Sequence, residues 1–251
     1  MITANRSDIG RIRLVNEDRA SVELLDSGVT LAIVADGMGG HQAGDVASQL
    51  AVEAFREALC HTAAETDIDS AKQVMRQAIL QANEVVYDMA SQNEQYHNMG
   101  TTVVAAMLFA EQAIIGHIGD SRAYKMRDSA LTRLTEDHTL VNELVKNGQI
   151  SPEEAANHPR RNVLTRALGT DQQVEVDVRV VPWKAEDLLL LCSDGLSNML
   201  TEEQMLETLQ IEELNLDEKA DRLVELALHA GGDDNITVVL LHNDAVMEQE
   251  G

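Results

Sequence analysis

The stretch LAIVADGMGG, residues 31–40, joins an apolar run to a glycine-rich turn through one carboxylate, Asp36. The five aliphatic residues before Asp36 have the length and composition of a buried β-strand. The glycines that follow allow a sharp turn and a close approach of the backbone to a ligand. The stretch therefore predicts a strand that places an aspartate at the edge of a sheet.

The same arrangement recurs three more times along the chain. Asp120 ends AIIGHIGD, Asp194 ends LLLLCSD, and Asp234 begins DNITVVLL. Because neighbouring strands bring their ends together at one edge of a sheet, the four carboxylates are expected to gather there. A buried carboxylate is too costly to ionise alone, so such a cluster indicates positive charge among its members. A pair of divalent metal ions is the simplest candidate.

The type of donor indicates the metal. The candidate ligands are all oxygen atoms, with no cluster of Cys or His nearby, and this set selects Mg²⁺ or Mn²⁺ over Zn²⁺. Gly37 would let its carbonyl serve as a further ligand. A turn residue at a strand end also explains Asp36 or Asp120 taken singly, and Asp233 is an alternative to Asp234. The recurrence of the pattern favours ligands.

A second group of polar residues, RLVNED at 13–18, lies early in the chain. Arg13 is suited to gripping a phosphate through two hydrogen bonds, and Asp18 could accept hydrogen bonds from metal-bound water. An exposed charged turn is the alternative. His41, just after the glycines, could be a general acid, since its ordinary pKa is about 6.5. A solvated histidine at the start of a helix is the other interpretation.

The order of the predicted elements indicates an α+β fold with mostly antiparallel sheets. Apolar residues repeat at helical spacing in two long segments, about 44–60 and 70–91, with no strand between them. Four closely connected strands follow, and the polar stretch Glu136–Gly169 predicts two or three short helices. Further strands are predicted at VEVDVRVV, DLLLLCS and NITVVLLH, with helices near Glu202–Gln210 and Leu216–Ala230.

Composition excludes several classes of partner. The 251 residues carry a formal charge of −24, with no cluster of Lys or Arg, so we expect neither a nucleic-acid partner nor an anionic membrane surface. No apolar segment approaches the roughly 20 residues that span a bilayer, and we expect a soluble cytoplasmic protein. Cys60 and Cys192 are predicted to be buried free thiols.

Two covalent mechanisms of phosphate-ester hydrolysis are excluded by spacing, and so is a P-loop. A cysteine-dependent enzyme would need an arginine where Asn198 follows Cys192. Asp36 is followed by GMGG, so an aspartyl-phosphate mechanism lacks its second carboxylate, and no P-loop is present.

Eight stretches together resemble the metal-dependent Ser/Thr protein phosphatases of type 2C, the PPM family, in their compact bacterial form. They occur in the family's order over residues 8–242. The stretches are DIGRIRLVNED, VADGMGGHQAGDVAS, MGTTVVAA, HIGDSRAY, EDHTLVNELVKNGQI, RNVLTRALG, LLCSDGLSNML and GGDDNITVVLL.

The resemblance implies a four-layer α-β-β-α sandwich, with two antiparallel sheets between helix pairs. Residues 1–242 would form one catalytic domain, with 137–168 as a flap beside the site and 243–251 as a flexible tail. The metal ligands implied are Asp36, which bridges two ions, the Gly37 carbonyl, Asp194 and Asp234, while Asp120 and Asp194 would hold a third, weaker ion. Arg13 matches the phosphate-binding arginine of the family. Asp18 matches the acid that lies behind the ligands.

The sequence hypothesis is hydrolysis of phosphoserine and phosphothreonine by water bridging two Mn²⁺ or Mg²⁺ ions. Expected partners are phosphorylated proteins and a cognate Ser/Thr kinase, and the protein is expected to be a monomer. Two alternatives from other classes are a non-catalytic module that binds phosphoproteins and a metal-dependent nuclease or nucleotide hydrolase. Intact acids at all four positions disfavour the first, and the lack of a basic groove disfavours the second.

Overall fold

The computed structural model describes residues 1–39 and 43–244. Its strands are β1 (Ile2–Asp8), β2 (Asp18–Leu24), β3 (Thr30–Met38), β4 (Gly100–Thr101), β5 (Val103–Leu108), β6 (Gln112–Ile118), β7 (Arg122–Arg127), β8 (Ala130–Arg133), β9 (Asp177–Pro182), β10 (Leu188–Cys192) and β11 (Ile236–His242). Its α-helices are α1 (Ala43–Leu59), α2 (Ile68–Gln92), α3 (Leu140–Lys146), α4 (Pro152–Ala156), α5 (Asp194–Ser197), α6 (Glu202–Leu209) and α7 (Leu216–Ala230).

The strands form two sheets. One has five strands in the order β1-β11-β10-β7-β8, and the other is β2-β3-β5-β6-β9 with β4 beside β3. Neighbouring strands run antiparallel in both sheets. Asp128, with a φ of 52°, makes the tight turn between β7 and β8, where the Asp-Ser composition predicted a hairpin. The predicted α+β class with antiparallel sheets is confirmed.

Three apolar cores hold the layers together. The inner faces of the two sheets meet around Trp183, Leu189 and Leu191, which are almost fully buried. The outer face of the six-stranded sheet packs against α1 and α2, and the outer face of the five-stranded sheet against α6 and α7. The order helices, sheet, sheet, helices confirms the predicted four-layer sandwich. The cores are aliphatic, because side chains such as Ile79 and Leu223 fill them.

Helices α2 and α7 begin where the sequence offers a cap. Asp67 accepts a hydrogen bond from the Ser70 amide at the start of α2. Asn215 and Glu218 form a reciprocal capping box at the start of α7. The helices predicted at about 44–60 and 70–91 are confirmed, with boundaries shifted by one or two residues.

The polar stretch contains two short helices, α3 and α4, within the predicted two or three. Ser151 and Glu154 cap α4 reciprocally, and Pro152 occupies its first turn, where no backbone donor is needed. The segment that returns from α4 to the sheets passes along the edge where the candidate site lies.

Cys60 is exposed, so the prediction of a buried thiol was wrong at this position. Helix α1 ends at Leu59, which is fully buried, and Cys60 lies one residue beyond the end of the buried stripe. Cys192 is buried as predicted. No helix within residues 1–39 and 43–244 has both the length and the apolar character needed to cross a membrane.

Candidate metal centre

The six-stranded sheet places two of the four aspartates at one edge. Strands β3 and β6 both pair antiparallel with β5, so they run in the same direction and end on the same side. Asp36 lies near the end of β3, and Asp120 comes two residues after β6.

The five-stranded sheet supplies the other two. Strands β10 and β11 are antiparallel neighbours, and Cys192 at the end of β10 is paired with Val238 near the start of β11. Asp194 follows β10 and begins the short helix α5, while Asp234 precedes β11. The end of one strand therefore meets the start of the next. The site takes carboxylates from both sheets.

The four aspartates line one cavity of about 490 Å³, and each is partly exposed to it. Within residues 1–39 and 43–244, the charged side chains that line it are six carboxylates and two arginines, with no lysine. They are Glu17, Asp36, Asp120, Asp171, Asp194, Asp234, Arg13 and Arg166. The lining therefore carries more negative charge than its own arginines can balance.

Asp18 lies directly behind this cluster. It is paired with Asp36 across β2 and β3, and it is almost completely buried. Its Oδ2 accepts a hydrogen bond from Ser193 Oγ at 2.7 Å. Burial raises the pKa of the Asp18 carboxyl to about 7, and the charges of Asp194 and Asp234 act in the same direction. The hydrogen bond to Ser193 joins the two sheets behind the site.

The cavity carboxyls repel one another. Burial raises the pKa of Asp36 well above its ordinary value, and the neighbouring charges of Asp18 and Asp194 raise it further. Burial and the charge of Asp194 raise the pKa of Asp120 to about 8. Burial and Asp234 also raise the pKa of Asp194. Ionising the whole cluster is unfavourable unless cations are added.

Several buried oxygen atoms at this edge have no hydrogen-bond partner. They are Glu17 Oε1, Asp18 Oδ1 and Asp194 Oδ1. Such atoms are costly to bury unpaired, and they are hard donors of the type that Mg²⁺ and Mn²⁺ prefer. The donor set, its excess of negative charge and these unpaired oxygens therefore fit divalent cations.

Gly37 is required by close packing between β3 and α1. A Cβ atom at Gly37 would lie 2.0 Å from the carbonyl oxygen of Gly44 and 2.8 Å from that of Glu17. The Gly37 amide also donates to the Glu17 carbonyl at 3.1 Å. Only glycine allows the backbone to pass between these groups at the edge of the cavity.

Arg13 contacts the site through Asp234. Its Nη2 donates to Asp234 Oδ2 at 2.7 Å, and about half of its side chain is exposed. The loop that carries Arg13 is fixed by the buried Asn235. Its side-chain amide donates to the carbonyls of Ile9 and Val15 and accepts from the Glu17 amide, at 2.8–3.0 Å. Asn235 thus ties both ends of the arginine loop to the start of β11.

Three supporting features of the site were not predicted from the sequence. Glu17 was noted only as one member of a polar group, yet it lines the cavity with an unpaired oxygen. The Thr102 hydroxyl accepts from the Asp36 amide at 3.2 Å and is hydrogen-bonded to Ser121 Oγ at 2.7 Å. Asn198 donates to Asp194 Oδ2 at 3.0 Å. The Thr-Thr pair before β5 and the serine after Asp120 were the available signals.

Two sequence alternatives have a definite outcome in the geometry. Asp233 is exposed and does not line the cavity, whereas Asp234 does. Burial raises the pKa of the Cys192 thiol to about 12, which leaves no thiolate for nucleophilic attack near neutral pH. His41, the candidate general acid, lies outside the described residues.

The sequence model of the protein phosphatase 2C family matches residues 11–227. The chain belongs to this family. The matched segment contains seven of the eight candidate site residues predicted from the sequence, all except Asp234, and it includes both helices of the polar stretch.

Similar proteins of the 2C family cover nearly the whole chain. A serine/threonine phosphatase, stp, of Listeria monocytogenes is 46% identical over 239 residues, which are 95% of this chain and 94% of that protein. The structure of the S. agalactiae serine/threonine phosphatase matches with a TM-score of 0.90 and 39% identity, over 95% of this chain and 98% of that one. The catalytic domain of the phosphatase PstP, solved in complex with two manganese ions, matches with a TM-score of 0.81 and 39% identity, over 95% and 96%.

Proposed function

We propose that this phosphatase 2C chain hydrolyses phosphoserine and phosphothreonine in proteins and depends on Mn²⁺ or Mg²⁺. The observation that carries the proposal is the single cavity lined by six carboxylates and two arginines, with buried oxygen atoms left unpaired. Two ions would be held by Asp36, the Gly37 carbonyl, Asp194 and Asp234, and a third, weaker ion by Asp120 with Asp194. The ions would supply a water of lowered pKa and neutralise charge on the transferring phosphoryl group.

Several residues of the chain would orient these ligands. Asn198 holds Oδ2 of Asp194, while Oδ1 of the same carboxyl is buried and unpaired. Asp18 would accept hydrogen bonds from bound water through its unpaired Oδ1, since Ser193 already occupies Oδ2. Thr102 fixes the backbone of Asp36 from behind. Asp36 and Asp194 are therefore positioned before substrate arrives.

Arg13 would bind the phosphate of the substrate. Its guanidinium is half exposed at the mouth of the cavity and already points at the cluster through Asp234. A phosphate oxygen would accept a charge-assisted hydrogen bond from guanidinium donors that Asp234 does not occupy. Because the chain has a formal charge of −24, it repels a phosphoprotein at long range. The local attraction must therefore come from Arg13 and the ions.

The remaining assignments follow from the family resemblance. Residues 1–242 would form the catalytic domain, and 137–168 the flap that influences substrate choice. The chain would act as a monomer in the cytoplasm and oppose a cognate Ser/Thr kinase. In support, Asn162, Leu164 and Thr165 of the flap segment line the same cavity as the four aspartates.

The proposal is tested by substituting Asp36→Asn, which keeps the shape of the side chain and removes its charge. Asp26→Asn is the matched control, because Asp26 is exposed at the turn between β2 and β3, away from the cavity. Release of phosphate from phosphoserine and phosphothreonine peptides would be measured with Mn²⁺ and with a chelator. We expect no turnover above background for Asp36→Asn and full activity for Asp26→Asn.

Metal-dependent turnover by Asp36→Asn equal to wild type would refute the proposed site. Phosphate release by the wild type that stays at background with Mn²⁺ as well as with chelator would favour a non-catalytic binding module. Faster hydrolysis of DNA or nucleotides than of phosphopeptides would favour a nuclease or nucleotide hydrolase. Circular dichroism of each variant would show that the fold is retained.

A further inference from the structure

A group of three titratable side chains lies beside the candidate metal centre and has no assigned role. His117, His138 and Asp177 bring potential ligand atoms within 4.8 Å of one another. The two imidazole rings are stacked, with centroids 4.7 Å apart and planes inclined by 19°. Both histidines are buried, and Asp177 is about half exposed. Two histidines and a carboxylate could bind a transition metal, so the positions of their protons decide what the group does.

The hydrogen bonds place the proton of His138 on Nε2. The Gly119 amide donates to His138 Nδ1 at 3.1 Å, so Nδ1 presents its lone pair to that donor. In a neutral imidazole the other nitrogen then carries the hydrogen, and Nε2 donates to Asp177 Oδ2 at 3.2 Å. A cation at Nε2 would need a lone pair that this arrangement does not offer. Asp177, His138 and Gly119 therefore form a hydrogen-bonded chain and not a second metal site. His117 lies outside this chain, because its Nε2 is hydrogen-bonded to the Glu136 carbonyl at 2.9 Å.

The chain ends on the residue that precedes Asp120. Besides the bond to the ring, the Gly119 carbonyl accepts a hydrogen bond from the His138 amide at 2.9 Å. Both polar backbone groups of Gly119 are thus bound to His138. Gly119 has a φ of +106°, and a Cβ atom there would lie 2.6 Å from the side chain of Thr102. Glycine alone takes this backbone conformation without strain, and the two hydrogen bonds from His138 restrict its freedom.

We propose that Asp177 and His138 are positioning residues for Asp120: they fix the Gly119 backbone and so aim the Asp120 carboxylate at Asp194. The proposal rests on the proposed function, in which Asp120 and Asp194 hold the weakest ion. Asp177 fixes the ring of His138, the ring fixes Gly119, and Gly119 fixes the direction in which β6 delivers Asp120. His138 lies near the start of the polar stretch. The hydrogen bonds from Asp177 to Gly119 therefore also connect that stretch to the sheet edge that carries the four aspartates.

Asp177 also lies close to Arg166, so the experiment must distinguish the loss of this contact from the loss of the hydrogen bond to His138. Its Oδ1 lies 3.6 Å from Arg166 Nη1, and Arg166 lines the cavity of the four aspartates. Glu175 Oε2 lies 3.5 Å from the same nitrogen, whereas the hydrogen-bond partners of the His138 ring are Gly119 and Asp177. Glu175→Gln therefore weakens the pairing of Arg166 while leaving the His138 chain intact, which makes it a matched control.

The test compares Asp177→Ala, which removes the acceptor for His138 Nε2, with Asp177→Asn, which keeps an acceptor and removes only charge. Chelator-treated full-length protein would be titrated with MnCl₂ by calorimetry. Ligands of this kind lose roughly 10–100-fold in metal affinity when their direct hydrogen-bond partners are removed. Asp177 acts through His138 and is therefore further from the ligand than a direct partner. We expect Asp177→Ala to weaken the weakest Mn²⁺ site by roughly threefold to tenfold, with the tighter sites unchanged.

Asp177→Asn and Glu175→Gln should stay within about twofold of wild type in the same titration. The Mn²⁺ concentration for half-maximal turnover should rise in Asp177→Ala, while kcat at saturating Mn²⁺ stays at the wild-type value. A general loss of structure would lower the melting temperature but would not change one ion's affinity selectively. An unchanged titration for Asp177→Ala would overturn the proposal, as would equal losses in Asp177→Ala and Asp177→Asn.

If Asp177→Ala does not fold, the same comparison is made at His138. In His138→Gln, the side-chain amide can accept a hydrogen bond from the Gly119 amide and donate one to Asp177. The side chain in His138→Leu can do neither, so only His138→Leu should lose the weakest Mn²⁺ site. Equal affinity in the two variants would overturn the proposal. Failure of the proposed function has a different signature, since Asp36→Asn would then keep its turnover, whatever the Mn²⁺ titrations of Asp177 show.

Discussion

Arg13 Nη2 lies 2.7 Å from Asp234 Oδ2, so one expected metal ligand is paired with the expected phosphate-binding residue. Asp234 can thus orient Arg13 before substrate binds. The guanidinium has further donors, and it can bind a phosphate without losing this contact completely.

Replacing Arg13→Ala should raise KM for phosphopeptides roughly tenfold, because a charge-assisted hydrogen bond to phosphate is lost. The effect on kcat at saturating substrate should be smaller. Arg11→Ala is the matched control, since Arg11 lies on the same loop but donates to the Leu228 carbonyl. Steady-state kinetics of both variants with saturating Mn²⁺ would measure the difference. An unchanged KM for Arg13→Ala would remove it from the site.

Asp234→Asn should lower kcat/KM by at least roughly a thousandfold, because it removes a metal ligand. Asp233→Asn should stay within about twofold of wild type, because Asp233 is exposed and lies outside the cavity lining. The two variants differ by one position and carry the same chemical change. The assignment would be reversed if Asp233→Asn were the inactive variant.

Without bound metal, the protein should become less stable as the pH rises from 6.5 to 8.5. Asp18 and Asp120 have pKa values of about 7 and 8 in the folded chain, above the roughly 3.9 of an unfolded aspartate. The folded state therefore binds more protons in this window, and its stability falls as these protons leave.

Mn²⁺ should reverse this trend, because it binds the ionised carboxyls, so its stabilising effect should grow with pH. Burial lowers the pKa of His117 and His138, which makes stability rise with pH, but this opposing effect fades above pH 6.5 as the unfolded imidazoles lose their protons. Denaturant unfolding with chelator and with Mn²⁺, at both pH values, would measure the two trends. An unfolding midpoint that rises with pH in chelator would contradict the argument.

Of the two thiols, only Cys60 should react with a thiol reagent in the native protein. Cys60 is exposed, whereas Cys192 is buried with a pKa of about 12. Mass spectrometry after labelling at pH 8 should find one modified cysteine in the native chain and two after unfolding. Labelling should leave turnover unchanged, since Cys60 is at the end of α1, away from the site. Rapid native labelling of Cys192 would show that the inner strands open easily.

The elements that the sequence predicted well are those with a long, regular pattern. Helix α1 and strand β10 have uninterrupted apolar periodicity or apolar runs, so burial alone fixes their type. Helix α5 has only four residues, too few for any periodicity, and it was not predicted. The burial of Cys60 was predicted wrongly because the spacing of apolar residues does not show at which residue the buried face of α1 ends.

The site could be predicted as far as its strand ends. Four aspartates at the ends of apolar runs indicated a shared edge, because sheet geometry brings such ends together. Most of the partners that hold them could not be predicted, because they come from distant parts of the chain. Asp18 and Ser193 are 175 residues apart, and Gly119 and His138 meet only after the polar stretch has folded against β6.

The carboxylates come from both sheets, with Asp36 and Asp120 on one and Asp194 and Asp234 on the other. Ions bound among them would cross-link the two sheets of the sandwich. Separation of the layers and release of the ions would then be one event. A cavity introduced between the sheets, for example at Trp183, should weaken ion binding at a distance without altering any ligand.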